Sequence, residues 1–286
     1  MRQAISCIRC TLAAASFACA SLAHAGAAPD PGDYTALPAG TALSVLYLRE
    51  IRGDEAYVLG RRQALPRDLD LNLRLGLLRQ VWFTNLGGYT IDPQVIVPFA
   101  RQSDALSGRK PSGVGDVVFG ATLWNIADLT GGEHLGYSVF VTAPTGARRD
   151  EAFAISDNRW SADLQVGYIR RVAPHWSVDL IGSAEVFQDR RDTGAAKDPV
   201  SRLYAHLRYH LNDACHVAAS LRYTEGGREK LGATLVGGRK DDINSTLTWA
   251  GFLTKQVQLQ AQYSRDLHVE NGPRLNTLAF RALYVY

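Results

Sequence analysis

In the stretch DLDLNLRLGLL, apolar and polar side chains alternate without a break: Leu69, Leu71, Leu73, Leu75 and Leu77 fall on one face, and Asp68, Asp70, Asn72, Arg74 and Gly76 on the other. A period of two over this length predicts a β-strand, because successive side chains of an extended chain point to opposite faces. Similar alternation recurs along the chain, for example at Tyr89, Ile91, Val95, Val97 and Phe99, at Leu135, Tyr137, Val139 and Val141, and at Leu278, Phe280, Ala282, Tyr284 and Tyr286. Counting every such segment predicts about twelve strands, within a range of ten to fourteen.

The connections alternate too. Long polar stretches at about 51–67, 101–114, 144–158, 188–200, 225–241 and 268–274 are separated by mostly tight turns such as Val172-Ala173-Pro174 and Asn212-Asp213. Short turns on one side, long loops on the other and an even strand count predict an all-β, antiparallel up-and-down barrel in an outer membrane. Length supports this over a soluble sandwich. Tyr89 to Phe99 spans ~33 Å along a strand, which a barrel tilt reduces to ~25 Å, the height of an outer-membrane apolar band.

Aromatics mark the two edges of that band. Tyr89, Tyr168, Trp176, Tyr209 and Tyr286 are expected at the periplasmic end of the lipid face, and Tyr47, Phe99, Trp160 and Tyr223 at the outer end. The final strand is expected to pair with the first, since lipid cannot satisfy an open sheet edge. Its aromatic ending resembles that of outer-membrane barrel proteins, a resemblance that implies reading by the barrel assembly machinery.

Composition then fixes the compartment. Residues 1–25 carry Arg2 and Arg9, an apolar stretch and Ala23-His24-Ala25, which reads as a secretory signal peptide. Cys7, Cys10 and Cys19 leave with it, so Cys215 has no cysteine partner in the mature chain. Losing two arginines also lowers the formal charge of +3 by two, which removes any reason to expect a nucleic-acid partner. The expected location is the outer membrane of a Gram-negative bacterium, with its lipid as a partner.

The stretches DYTALPAGT, IDPQVIVPFA, GVGDVVFGATLW, DNRWSADLQVGYI and RDLHVENG, spread in order over the mature chain, resemble the bacterial family named for the MetA pathway of phenol degradation. The resemblance implies an outer-membrane barrel that takes up small, phenol-like molecules, and carries over no binding residues.

Lumen-facing candidates are Asp70, Arg74, Asp92, Asp116, Arg159, Asp163, Asp179, Glu185, Arg202, Arg208, Arg222 and Arg281. Both signs occur, so these groups either brace the wall as a paired network or line a solute path. Twelve tilted strands give a backbone diameter of ~24 Å, too wide for wall side chains to fill. Residues 26–40, rich in Pro and Gly, are either a periplasmic lead-in or a partial plug, with the barrel running from 41 to 286.

His206 and His210 sit ~13 Å apart on one strand, and His210 with His216 would supply only two ligands, so no metal and no cofactor are expected. No GxSxG motif is present for an outer-membrane hydrolase, and the histidines sit mostly toward the periplasm. The expected function is therefore a non-enzymatic transporter or channel for a small, aromatic or hydrophobic solute. A purely structural barrel and a hydrolase are the alternatives.

Overall fold

The computed structural model describes residues 28–65, 68–105, 108–146 and 153–286. The signal peptide inferred for residues 1–25 lies outside them. Twelve long strands form the wall: β1 (Ala42–Val58), β2 (Leu71–Trp82), β3 (Tyr89–Ser103), β4 (Val117–Asp128), β5 (Glu133–Ala143), β6 (Ser161–Ala173), β7 (Trp176–Phe187), β8 (Val200–Asn212), β9 (Cys215–Gly226), β10 (Lys240–Phe252), β11 (Val257–His268) and β12 (Asn271–Val285). Each pairs with its neighbour in sequence, and β12 returns antiparallel to β1 from Leu43↔Val285 to Val58↔Asn271. The sheet is a closed twelve-stranded barrel. Closure supplies a partner to the backbone of both end strands, the condition for crossing lipid with strands.

From β3 to β12 the outer surface is apolar and exposed, and the inner face is mostly polar and buried, with single apolar residues such as Ile96, Phe140 and Ile181 among the polar ones. On β3, Tyr89 and Phe99 are exposed while Asp92, Gln94 and Gln102 are buried. On β7, Trp176, Leu180 and Val186 are exposed while Ser177, Asp179, Ser183 and Glu185 are buried. An exposed apolar surface of this extent would not survive in water; facing hydrocarbon it is the stable arrangement.

β2 is the exception. Leu71, Leu73, Leu75 and Leu77 point into the barrel, each no more than 2% exposed, so Arg74 lies on the outside and not in the lumen as the alternation had predicted, and Asp70, just ahead of the strand at φ of 42°, is exposed rather than enclosed. A one-residue change of face inverts every side chain of a strand, and the pattern alone does not say which face meets lipid. The choice is made by what lies opposite. Tyr47, Ile51, Ile96, Phe140, Phe153 and Ile155 give the leucines an apolar cluster inside the barrel. Outside, Leu78 and Trp82 still meet lipid, and the ring of Phe99 lies across Gly76, where a Cβ would sit 2.2 Å from it. Tyr47 likewise points inward, 6% exposed, and takes no part in an outer aromatic girdle.

Candidate functional site: the barrel lumen

The N-terminal stretch does not trail away from the barrel. Pro38 and Gly40 start it at the periplasmic mouth, where the Gly40 and Phe83 backbones exchange hydrogen bonds with the Thr41 region: Gly40 N–H donates to Phe83 O at 2.8 Å and Phe83 N–H to Thr41 O at 2.8 Å. Ala36 is buried against Val81, Phe83 and Trp124. Further in, the Tyr34 hydroxyl meets Ser138 Oγ at 2.8 Å and donates to Gln165 Oε1 at 2.9 Å. Its ring lies on Gly136 and Gly167, register partners on β5 and β6; a Cβ on Gly167 would come within 2.2 Å of it. Two glycines side by side leave the flat seat an aromatic ring needs. Burial raises the Tyr34 hydroxyl well above its ordinary pKa.

A tight turn then presents two carboxylates, with Asp33 N–H donating to Asp30 O at 3.0 Å and Thr35 N–H to Gly32 O at 3.0 Å. Gly32 adopts φ of 90°, a conformation that favours glycine, and its N–H donates to Asp179 Oδ2 at 2.7 Å. Arg281 donates to both acids, reaching Asp30 Oδ2 at 3.2 Å and Asp33 Oδ1 at 3.0 Å, and Arg79 donates to Asp33 Oδ2 at 3.1 Å. Gln260 and Gln262 complete the Asp30 shell at 2.9 and 3.1 Å. Burial alone would raise the Asp30 carboxyl; Arg281 and Arg49 outweigh it and hold it below its ordinary value.

Other candidate residues form wall ion pairs. Arg208 donates to Asp179 Oδ1 at 2.8 Å, Arg202 to Glu185 Oε2 at 2.9 Å, and Arg202 lies 4.0 Å from Asp163. Arg159, 1% exposed, is clamped between Asp157 and Glu229 beneath the outer loops. Asp92 accepts from Thr122 N–H at 2.8 Å and from Gln94 at 3.2 Å. Arg222 faces a remaining cavity of about 260 Å³ between the N-terminal segment and the outer mouth, lined also by Pro31, Arg49, Tyr204, Asp242 and Leu275. His206 meets Ser220 Oγ at 2.8 Å and His210 meets Ser177 Oγ at 2.8 Å, so both are held within the wall's own hydrogen bonds.

The outer side carries a second inward fold. In the connection between β5 and β6, Phe153, Ala154 and Ile155 are buried inside the barrel, and Ala154 N–H donates to Gln102 Oε1 at 2.9 Å. Asp116, just ahead of β4, holds this loop: its carboxylate accepts from Gly146 N–H at 2.8 Å, Asp157 N–H at 2.8 Å and Ser156 Oγ at 3.2 Å. Burial raises its pKa against the pull of those donors. Replacing Asp116 by Ala leaves those donors without their acceptor, a loss on the order of 3 kcal/mol of loop seating. A thiol introduced as Ser156→Cys should then be labelled from outside intact cells on the order of a hundredfold faster than in the parent. Equal labelling would show that Asp116 does not hold the loop.

The alternation of the strands pointed to most of these acids and arginines. It missed Asp30, Asp33 and Tyr34, which have no strand pattern, and Arg79, which faces inward only because β2 is inverted. The signal available was two acids set among Pro and Gly, beside a lumen with arginines to spare.

The outer-surface aromatics sit near the strand ends. Trp176 and Tyr209 pack with ring centroids 4.9 Å apart, and Tyr286 is 66% exposed beside Tyr284 at 4.8 Å. Tyr168 donates to Glu133 at 2.6 Å and Tyr223 to Asp241 at 2.9 Å, so their rings face out while their hydroxyls reach the polar edge. Trp160 is exposed at the outer end, next to buried Arg159.

Comparison with known proteins places this architecture. The family model described as "Putative MetA-pathway of phenol degradation" matches residues 53–282. The crystal structure of an outer membrane channel from Pseudomonas putida F1 is 34% identical, with a TM-score of 0.84 over 91% of this chain and 100% of that one. The β domain of the Bordetella autotransporter BrkA, 16% identical, superposes with a TM-score of 0.53 over 87% of this chain and 99% of that one, a likeness of fold alone. The transport unit of the Escherichia coli autotransporter AIDA-I, 10% identical, does so at 0.52 over 95% and 98%. No curated protein matches the chain. The closed barrel, the lipid-facing outer surface and the matches over most of its length agree: the chain belongs to the Putative MetA-pathway of phenol degradation family and is an outer-membrane β-barrel of a Gram-negative bacterium.

Proposed function

We propose that the protein is a channel for small hydrophobic molecules, of about the size of a single aromatic ring, and that residues 28–40 act as its plug. The observation that carries this reading is the inverted β2. A pore for hydrophilic solutes gains nothing from Leu73, Leu75 and Leu77 inside its lumen, whereas a hydrophobic solute needs an apolar wall to exchange for the membrane or for water. The leucines are covered by Phe153 and Ile155 in the closed barrel and lie apart from the cavity of about 260 Å³, whose lining includes Arg49, Arg222 and Asp242, so an apolar path along β2 opens when the inward-folded loop moves aside. The relative from Pseudomonas putida F1 is described as a channel, which agrees.

The reading is tested by flux of small aromatic molecules into vesicles whose outer leaflet is lipopolysaccharide, compared with protein-free vesicles of the same composition, with ester and lipid hydrolysis followed in the same preparation. Flux without hydrolysis is expected. A flux-silent barrel would favour a structural role, and hydrolysis would favour an enzyme.

Assembly is proposed to depend on the end of β12. Tyr286 adds one exposed aromatic and a backbone bond from its N–H to Ala42 O at 2.9 Å, a contribution on the order of 1 kcal/mol to the finished barrel. Deleting it should sharply reduce the amount inserted in cells, yet leave protein refolded in detergent nearly as heat-resistant as the parent. Equal losses in both would make Tyr286 structural, and normal insertion would remove its role in recognition by the assembly machinery.

A further inference from the structure

The outer surface of the barrel carries a feature that neither wall-building nor solute passage uses. Across β12, β1, β2 and β3 and the short strand Ser112–Val114, register aligns Phe280, Leu48, Gly76, Phe99 and Val114 in one row. With Leu278 they line a groove of about 700 Å³ on the lipid-facing surface, its floor lowered where Gly76 has no side chain.

One step nearer the outer loops, the next row reads Glu50, Arg74, Arg101 and Ser112. Arg74 and Arg101 are direct register partners and both are exposed on the outer surface. Like charges placed directly opposite on one face of a sheet destabilise it. The one acid in the row, Glu50, bonds Arg52 at 2.6 Å while also facing Arg74 across β1 and β2, so one carboxylate is shared between two arginines and Arg101 is a third positive charge in the row. Height matters as well. Arg101 is twelve residues from Tyr89, the exposed aromatic at the periplasmic end of β3, which is ~40 Å along the strand and ~30 Å along the membrane normal, beyond the ~25 Å apolar band. The arginine pair therefore lies at the headgroup level of the outer leaflet, above an apolar groove.

We propose that this groove binds one lipid A-type glycolipid of the outer leaflet, with an acyl chain lying over Gly76 between Phe99 and Phe280 and a headgroup phosphate bridging Arg74 and Arg101. Charge complementarity selects the occupant: paired guanidinium groups match a phosphate's oxygens, and the outer leaflet of this membrane presents phosphorylated, multiply acylated glycolipid at that height. The bound phosphate also removes the repulsion between the two arginines, which accounts for their being opposite one another.

The test uses full-length protein extracted from outer membranes in mild detergent, with bound lipid measured by native mass spectrometry. Added lipid A, dephosphorylated lipid A and phosphatidylglycerol are then compared as ligands. The Arg74→Gln/Arg101→Gln variant relieves repulsion and should fold, which heat-modifiable mobility checks; Arg101→Gln alone provides a second variant. Arg265→Gln, at an exposed arginine of β11 on the strand beside the groove but outside its lining, is the control. The expected result is retained lipid A on the parent and on Arg265→Gln, with affinity about tenfold lower in the double variant and for dephosphorylated lipid A. Equal retention by the double variant, equal loss in Arg265→Gln, or phosphatidylglycerol binding as tightly as lipid A would each overturn the proposal.

Discussion

Deletion of residues 28–38 is expected to raise single-channel conductance in planar bilayers several-fold while the barrel stays folded. The cut ends before Gly40, whose backbone bond to Phe83 anchors the chain at the periplasmic mouth, and leaves the closing pairs from Leu43 onward intact. What it removes is the material crossing a lumen that wall side chains cannot fill at a backbone diameter of ~24 Å. It also removes Asp30 and Asp33, leaving Arg281 and Arg79 without the acids they hold at 3.0–3.2 Å. The widened lumen should therefore prefer anions, which a reversal potential across a salt gradient reads directly. Unchanged conductance would make the segment a passive lead-in.

Arg281→Gln is expected to open the barrel almost as far without shortening the chain. Arg281 donates to both Asp30 and Asp33, and it also donates to Gln258 at 2.8 Å. Removing one partner of a buried ion pair costs about 3–5 kcal/mol, because the other charge is left in place. Here the stranded acids have an escape that a core residue lacks: the segment can leave for water, so the cost appears as opening and not as unfolding.

The pH dependence should separate the two proteins. In the parent, the docked pKa of Asp30 lies below its ordinary 3.8, so the stabilisation it gives is complete above 3.8 and is lost as pH falls through the docked value. Parent channels should open only in strong acid. Arg281→Gln removes the largest cause of that depression and leaves burial opposed only by Arg49, Gln260 and Gln262, so the docked pKa moves up and the stabilisation lost in acid shrinks. Acid should therefore open this variant less, relative to its own conductance at neutral pH, than it opens the parent. An equal relative opening by acid in both proteins would show that Arg281 does not hold the segment through these acids.

The strands were legible because lipid imposes a strict requirement on one face. Wherever the other face was clearly polar, as on β7 with Asp179 and Glu185, alternation was enough to assign inside and outside. On β2 it was not, since Leu78 and Trp82 on the second face are as acceptable to lipid as the leucines on the first, and the decision rests with Phe153 and Ile155 from a distant loop. That loop was read as polar because polar residues surround its buried apolar triplet, Phe153-Ala154-Ile155. The Tyr34 seat was equally hidden. Gly136 and Gly167 are unremarkable in their own strands and become a site only when register sets them side by side under a ring supplied from the N-terminal segment.

Passage of small hydrophobic molecules through the lumen is read directly by uptake of a labelled monocyclic aromatic into intact cells whose outer leaflet is lipopolysaccharide. In such cells the outer membrane, and not a permeable phospholipid bilayer, limits entry. Cells carrying the parent protein should take up the label faster than cells lacking it, and Leu73→Asp/Leu75→Asp, which makes the inner wall of β2 polar, should abolish the gain at an equal amount of folded barrel. Uptake that does not depend on the protein, or that survives the polar wall while small sugars pass freely, would contradict the account.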